Sequence, residues 1–188
     1  MAKSNNVIVV SAPSGGGKGS ILKPVVNADD RLVHSVSVTT RGPRDNEVDG
    51  VEYTFVTPDA FKASVEADEF LEWAEVHENF YGTLRSEIEK HDASGEDVVL
   101  ELDVQGKRNL LSAKPNAKTV FVMPPSLKVL EERLRARGGL TEPELQTRLA
   151  NAKEEMAASG EYDYVIVNDK LEDAIAQFIE ILKELRQD

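Results

Sequence analysis

Cysteine is absent from this sequence of 188 residues, so disulfide bonds and thiolate metal sites are excluded. No run of about 18 apolar residues occurs, and we therefore expect no membrane span. Positive charge is also scarce, because 22 Lys and Arg residues stand against 34 Asp and Glu residues, a formal net charge of −12. That balance argues against non-specific binding to nucleic acid or to an anionic membrane. A cysteine-free acidic chain fits a reducing, cytoplasmic location.

The residues that are present describe an ordinary globular protein. Apolar residues make up 40% and charged residues 30%, and a chain of this length can bury one sizeable core. The few arginines are clustered: Arg41 lies close to Arg44, and a second group comprises Arg133, Arg135, Arg137 and Arg148. An acidic protein with clustered arginines is expected to hold an anionic ligand such as phosphate.

An apolar run followed at once by a glycine-rich turn and a lysine stands near the amino terminus. Val7–Val10 suits a buried strand, and Gly15–Gly17 before Lys18 allows main-chain N–H groups to face an anion. This layout predicts a strand that leads into a phosphate-binding loop. The strict motif has Gly at position 12, where this chain has Ala12. It has Ser or Thr at position 19, where this chain has Gly19. The alternative is a flexible glycine turn that happens to precede a lysine.

The carboxyl-terminal half alternates predicted strands with predicted helices. Strands are predicted over 97–103, 118–123 and 164–167, and helices over 105–113, 127–137, 142–158 and 171–186. Ser126 can cap the second of these helices and Gly138 can end it. The buried stripe of the last helix is predicted to comprise Ile175, Phe178, Ile179 and Leu182. Strands alternating with helices predict an α/β fold with a parallel sheet covered on both faces.

The segment from residue 35 to 92 has a different pattern. Ser35–Thr40 alternates small polar residues with valine, which predicts a half-exposed strand. Val51–Val56 alternates again, Phe61–Ala67 has helical character, and Phe70–Val76 mixes aromatic and acidic residues. These features predict an inserted lobe with short strands.

Pro24 interrupts the helix that is expected to follow the loop. A proline inside a helix removes one hydrogen bond and costs about 3 kcal/mol. The sequence therefore predicts that this helix is either short or kinked.

Six further short segments follow the loop along the chain. They are Ser35–Arg44, Gly50–Tyr53, Glu69–Ala74, Tyr81–Thr83, Asp103–Gly106 and Val167–Asp169. In order and spacing, the loop and these segments resemble the guanylate kinase family, from Val7 to about Leu185. The resemblance implies a P-loop kinase with a three-layer α/β core that transfers the γ-phosphoryl group of ATP to GMP, a step of purine nucleotide metabolism. It also implies one domain over residues 1–188, comprising a core (about 1–35, 87–126 and 159–188), a GMP-binding lobe (about 36–86) and a helical lid (about 127–158).

The resemblance assigns the ATP site to the loop and to a residue near the carboxyl terminus, which contacts the donor adenine. The implied ATP-binding residues are Ala12, Pro13, Ser14, Gly15, Gly16, Gly17, Lys18, Gly19, Ser20 and Asn168. The family usually has a hydroxyl at position 19 that helps to hold magnesium, and Gly19 cannot do so. We expect Mg²⁺ to accompany ATP near Ser20 and Asp103, without a ligand set that the sequence defines. Lys170 also departs from the family, which usually has a second acid after Asp169.

The resemblance implies that GMP is bound by two groups of side chains. Ser37, Glu72 and Thr83 form the guanine pocket with Asp103 nearby, while Arg41, Arg44, Tyr53 and Tyr81 hold the phosphate. A carboxylate can accept hydrogen bonds from both N1 and N2 of guanine, whereas adenine presents the reverse pattern at these edges. The alternatives are a solvated surface charge for Glu72 and ordinary packing for Tyr53 and Tyr81.

The catalytic residues implied by the resemblance are cationic. They are Lys18, Arg41, Arg133, Arg137 and Arg148. Arg133 and Arg137 are four residues apart and share one helix face, so they can converge with Arg148 on the transferring phosphoryl group. No general base is required, because the GMP phosphate is already a nucleophilic anion. The alternative is that these arginines are solvated surface charges, as we expect for Arg135.

Two other functions are alternatives to GMP phosphorylation. A guanylate-kinase-like interaction domain without catalysis would degrade the phosphate loop, whereas Lys18 and both arginine clusters are present here. A related nucleoside monophosphate kinase with another base preference is disfavoured by Ser37 and Glu72. We expect the small molecules GMP and ATP as partners, and neither nucleic acid nor a membrane. The sequence does not determine the oligomeric state, and a homo-oligomer is one of the alternatives.

Overall fold

The computed structural model describes residues 6–45, 47–76 and 78–187. The strands described are β1 (Val7–Ser11), β2 (Leu32–His34), β3 (Ser37–Thr39), β4 (Tyr53–Phe55), β5 (Phe70–Val76), β6 (Asn79–Leu84), β7 (Asp97–Glu101), β8 (Lys118–Met123) and β9 (Tyr164–Val167). The α-helices described are α1 (Lys18–Ala28), α2 (Pro58–Glu66), α3 (Arg85–Ser94), α4 (Val104–Ala113), α5 (Leu127–Arg137), α6 (Glu142–Ala157) and α7 (Leu171–Leu185). A short 3₁₀ helix, Ala158–Glu161, follows α6. This mixture confirms the predicted α/β class.

The chain forms two compact units. The first comprises Met1–Ile8 and Arg31–Ala117, and the second comprises Val9–Asp30 and Lys118–Asp188. The division therefore passes through β1. The predicted boundaries of core, lobe and lid remain a prediction.

The first unit contains a parallel strand pair and a mixed sheet. Strand β2 pairs in parallel with β7, and the mixed sheet has the order β4-β3-β6-β5. Its strand β3 is parallel to β4 and antiparallel to β6, which is antiparallel to β5. Phe61 of α2 stacks on Phe70 and Phe80, with ring centroids 4.4 and 5.4 Å away. These aromatic contacts hold α2 against the mixed sheet.

Strand β3 differs from the half-exposed strand that its alternating pattern predicts. Ser37, Val38 and Thr39 are all buried. The strand lies between β4 and β6, and Val38 joins the cluster around Phe61. The polar face is buried too, because Thr39 Oγ1 donates to the carbonyl of Phe80 at 3.0 Å. A hydroxyl that has a hydrogen-bond partner can be buried on the polar face of a strand. The alternating pattern therefore predicted a half-exposed strand where the structure has a buried one.

The second unit packs helices on a second parallel pair. Strand β8 pairs with β9, and α7 contacts both β9 and α1. The predicted spans of β8, β9 and α5 are confirmed, and Ser126 Oγ accepts from the main-chain N–H of Val129 at 3.2 Å as the predicted helix cap. Gly138 follows α5 with φ 72°, a conformation that favours glycine.

Two local predictions for the second unit need correction or completion. The buried residues of α7 are Ala174, Phe178, Ile181, Leu182 and Leu185. Phe178 and Leu182 are buried as predicted, but Ile179 is 36% exposed, so its predicted place in the buried stripe was wrong. Helix α1 continues past Pro24 to Ala28. Pro24 and Ser20 are both exposed, so water can bond the Ser20 carbonyl that the proline leaves without an N–H partner.

No helix in the described part of the chain is both long enough and apolar enough to cross a membrane. Among the same residues, no group of three or more His, Asp or Glu side chains is arranged to hold a metal ion.

Candidate active site

A buried carboxylate lies on the mixed sheet of the first unit. Glu72 of β5 is opposite Thr83 of β6, and Thr83 Oγ1 donates to Glu72 Oε1 at 2.8 Å. Glu72 is 5% exposed, and within the described residues no cationic side chain pairs with it. The pKa of Glu72 is raised to about 7, mainly by burial and partly by the nearby charge of Asp103, while hydrogen bonding to Thr83 opposes the rise. The surface-charge interpretation of Glu72 is therefore wrong.

A glycine brings a second carboxylate close to Glu72. Asp103 caps α4, where its Oδ1 accepts from the main-chain N–H of Gly106 at 2.7 Å. A Cβ atom on Gly106 would lie 3.1 Å from Asp103 Oδ1 and 3.3 Å from Glu72 Oε2. Both carboxylates thus approach the same glycine, and a side chain there would crowd them. Ser37, the fourth hydroxyl or acid predicted for guanine, is buried on β3 opposite Tyr53.

Three of the predicted phosphate ligands form one cluster. The Arg41 guanidinium lies over the rings of Tyr53 and Phe55, 5.4 and 5.8 Å from their centroids. Tyr53 meets Tyr81 edge-on, with ring centroids 6.0 Å apart. Hydrogen bonding to Glu47 is the main cause that raises the pKa of Arg41, and Tyr81 adds to it. The rings thus hold the Arg41 guanidinium in place.

Glu47 is a member of this cluster that sequence reasoning missed. Arg41 Nη2 donates to Glu47 Oε1 at 2.9 Å, and the main-chain N–H of Arg44 donates to Oε2 at 2.9 Å. The Arg41 hydrogen bond is the main cause that lowers the pKa of Glu47. The side chain of Arg44, the fourth predicted phosphate ligand, is 63% exposed, with Nη1 3.9 Å from Oε1. An acid three residues after Arg44 was the available signal, but acids in turns are usually solvated.

The glycine-rich segment of the second unit forms the predicted strand, turn and helix. The main-chain N–H of Gly16 donates to the carbonyl of Pro13 at 2.8 Å, and Lys18 begins α1. Gly17 caps the helix with φ 93°, a conformation that side chains rarely adopt. A Cβ atom on Gly15 would lie 3.0 Å from Cδ2 of Leu134 in α5. The segment is therefore a packed turn and not a flexible one.

Two of the predicted lid arginines reach the surroundings of this loop. Arg148 Nη1 donates to Ser14 Oγ at 2.9 Å, and Arg133 Nη2 donates to the carbonyl of Asn168 at 2.8 Å. The Asn168 side chain in turn donates to the carbonyl of Gly16 at 2.9 Å. Arg137 is exposed and is not held at the loop by any hydrogen bond within the described residues. The structure therefore gathers Arg133, Arg148 and Asn168 at the loop, and Arg137 stays a prediction.

Comparison with known proteins identifies the family of the chain. A family model described as guanylate kinase matches residues 4–185. The chain belongs to the guanylate kinase family. A guanylate kinase from Thermotoga maritima is 45% identical over 180 residues, which are 96% of this chain and 87% of its own.

Solved structures extend the comparison to the fold. A crystal structure of guanylate kinase from Anaplasma phagocytophilum has a TM-score of 0.79 and 32% identity, and the match covers 99% of this chain and 88% of that one. A shikimate kinase from Bacteroides thetaiotaomicron has a TM-score of 0.51 and 16% identity, covering 95% of this chain and 98% of that one. The second likeness supports the P-loop kinase fold alone. The resemblance of this chain to guanylate kinases is thus confirmed, together with the fold that it implied.

Proposed function

We propose that this protein phosphorylates GMP with ATP and releases GDP and ADP. The observation that carries the proposal is Glu72, a buried carboxylate with one hydroxyl donor and no cation among the described residues. Burying a carboxylate is costly unless donors satisfy its oxygens, so such a group is a strong candidate for ligand binding. Membership of the guanylate kinase family supports the same reaction. No described feature favours an interaction domain without catalysis.

Guanine recognition follows from the donors that Glu72 needs. The N1–H and the exocyclic N2–H₂ of guanine are two donors on one edge, and a single carboxylate can accept from both. We assign Asp103 and the hydroxyls of Ser37 and Thr83 to the remaining polar atoms of the base. Adenine has an acceptor at N1, which would face the carboxylate and leave Glu72 without its donors.

The GMP phosphate is assigned to the cluster around Arg41. A guanidinium offers several N–H donors in one plane, and the tyrosine hydroxyls of Tyr53 and Tyr81 add neutral donors. Arg44, whose side chain is exposed, supplies a second positive charge. A phosphate bound here becomes the nucleophile, and the cations keep it close to the donor by neutralising the repulsion between the two anions.

The donor phosphates are assigned to the loop from Ala12 to Ser20. Its N–H groups and Lys18 would bind the β- and γ-phosphates, with Arg133, Arg137 and Arg148 neutralising charge in the transition state. An oxygen of GMP forms a bond to the γ-phosphorus, while the bond from that phosphorus to the β–γ bridging oxygen breaks. ADP leaves with the electron pair of the broken bond. Water must be excluded, so we propose that the lid, residues 127–158, closes on the ligands.

Magnesium is compatible with the residues near the loop. Mg²⁺ prefers oxygen ligands and usually keeps several waters beside substrate phosphates. The exposed Ser20 hydroxyl makes no hydrogen bond within the part of the chain that is described. We propose that Mg²⁺ binds with ATP near Ser20, where it would neutralise charge on the β- and γ-phosphates. Gly19 supplies no ligand, so the ion would depend mainly on water and phosphate oxygens.

The test is an assay that couples ADP release to each candidate acceptor at several magnesium concentrations. We expect turnover with GMP and little with AMP, UMP or dTMP, and a dependence on Mg²⁺. Binding of GMP without any turnover would overturn the proposed reaction and favour the interaction domain. Equal turnover with AMP would contradict the roles of Ser37 and Glu72. A cytoplasmic location and small-molecule substrates accompany this proposal.

A further inference from the structure

One asparagine joins three parts of the second unit. Asn168 follows β9 and is 5% exposed. Its main-chain N–H donates to the carbonyl of Met123 at the end of β8, at 2.8 Å. Its own carbonyl accepts from Arg133 of α5 at 2.8 Å, and its side-chain Nδ2 donates to the carbonyl of Gly16 at 2.9 Å. The sheet, the phosphate loop and a lid arginine are therefore connected through one residue.

The hydrogen bond to Gly16 determines the orientation of a loop peptide. The C=O and N–H groups of a trans peptide point in opposite directions. Because Asn168 binds the carbonyl of Gly16, the N–H of Gly17 must point away from Asn168. The carbonyl of Gly17, which belongs to the next peptide, accepts from the main-chain N–H groups of Ser20 and Ile21 at 3.1 and 3.3 Å in the first turn of α1. The N–H of Gly17 is therefore the group of the Gly16–Gly17 peptide that remains to face an anion.

The space beside Gly17 is filled by the same side chain. A Cβ atom on Gly17 would overlap Asn168 Nδ2, far inside van der Waals contact. This close approach shows that the asparagine amide and the Gly16–Gly17 peptide are packed against each other. A rotation of that peptide would break the hydrogen bond and bring its atoms into the amide.

We propose that Asn168 is a positioning residue, which fixes the Gly16–Gly17 peptide so that its N–H faces the donor phosphates. The inference rests on the proposed function. It differs from a contact with the donor adenine, because it concerns the side-chain N–H that donates to Gly16. Through its carbonyl, the same residue also holds Arg133, so the loop and one cation share a support.

The experiment compares Asn168→Asp and Asn168→Ala with a matched control, Asn27→Asp, at an exposed position of α1. An aspartate has the shape of asparagine but cannot donate to Gly16. We expect kcat to fall about 100-fold in both Asn168 variants, since misplacing a group by about 1 Å has such effects. The loss should be the same with ATP, ITP and CTP as donors. The Kd for GMP and the control variant should stay within about twofold of the wild type.

Each alternative outcome decides against the proposal. A loss confined to ATP would make Asn168 a reader of the base, and wild-type kcat in both variants would remove any role. If Asn168→Asp does not unfold cooperatively, Asn168→Ala decides, and failure of both to fold would show a purely structural residue. Inactivity of the wild-type protein toward GMP would count against the proposed function instead. Binding of tripolyphosphate, which has no base and needs no turnover, would then still test Asn168, with affinity expected to fall about tenfold in Asn168→Asp.

Discussion

The two units prepare their proposed ligand sites with different parts of the chain. In the first unit, the proposed site is formed by side chains from several strands of the mixed sheet, such as Glu72, Thr83 and Tyr53. In the second unit, a glycine turn presents main-chain groups, and side chains such as Asn168 hold that turn in place. Side chains distinguish one base from another, whereas main-chain N–H groups bind any phosphate. The proposed sites therefore place base specificity in the first unit and binding of the donor phosphates in the second.

The largest expected effect lies in the second unit. Lys18→Ala should lower kcat about 1,000-fold, because a charged donor at the transferring phosphoryl group is lost. The Kd for GMP, measured by calorimetry, should stay within about twofold of the wild type. A large loss of GMP affinity would mean that the donor site is misplaced and that the two units do not divide the work as proposed.

The complementary change in the first unit should affect only the kinetics with GMP, the phosphoryl acceptor. Glu72→Gln keeps an acceptor for Thr83 but loses the charge, so kcat/KM for GMP should fall about 200-fold, as expected for losing charge-assisted hydrogen bonds. The KM for ATP should be unchanged. Steady-state kinetics with each substrate varied in turn measures both, and a parallel rise in the KM for ATP would contradict the separation.

A second cation of the second unit, Arg148, tests the same comparison. Arg148→Ala removes the cation bonded to Ser14 and should lower kcat about 100-fold at unchanged GMP affinity. Single-turnover kinetics would show whether the loss lies in the chemical step. A kcat within about twofold of the wild type would return Arg148 to the class of solvated charges.

The buried carboxylate should also make stability depend on pH. The pKa of Glu72 is about 7 in the folded protein and about 4.5 when it is exposed, so the folded state binds the proton more tightly. This group therefore favours folding below about pH 4.5, and that contribution is lost as pH rises to about 7, by up to about 3 kcal/mol. Urea unfolding should find Glu72→Gln more stable than the wild type at pH 8, and the difference should shrink at pH 5. Equal stability at both pH values would show that Glu72 is not desolvated.

The smallest effect is expected for a surface arginine in the same helix as Arg133. Arg135 donates to Glu131 and Glu142, and all three side chains are largely accessible to solvent. Exposed ion pairs contribute little, so Arg135→Ala should leave kcat and both KM values within about twofold. A loss comparable to that of Arg148→Ala would show that any cation of α5 matters, whatever its position.

Much of the fold could be read from local patterns. The apolar runs at β8 and β9, the Ser126 cap and the glycine after α5 lie within a few residues of the elements that they define. The failures occurred where distant segments meet. Polar strand β3 is buried because its hydroxyl finds the carbonyl of Phe80, and Ile179 is exposed because packing selected a neighbouring face of α7.

The candidate site shows the same limit. The resemblance assigned Glu72 to the guanine pocket, but its burial and its bond to Thr83 depend on the register between β5 and β6. Glu47 was missed because an acid in a turn is usually solvated, and its partner Arg41 was assigned to the GMP phosphate and to catalysis. The support of the loop by Asn168 could not be predicted either, since 152 residues separate that side chain from Gly16.

The sequence by itself determined the class of the fold, the phosphate-binding turn, the arginine clusters and the resemblance to guanylate kinases. These features follow from residue type and spacing, because strand and helix periodicity and glycine conformation are local properties. Tertiary structure alone decided which carboxylate is desolvated, which arginines reach the loop and which side chain orients the Gly16–Gly17 peptide. Desolvation and hydrogen-bond geometry depend on all neighbours of a group, and most of those neighbours are distant in sequence.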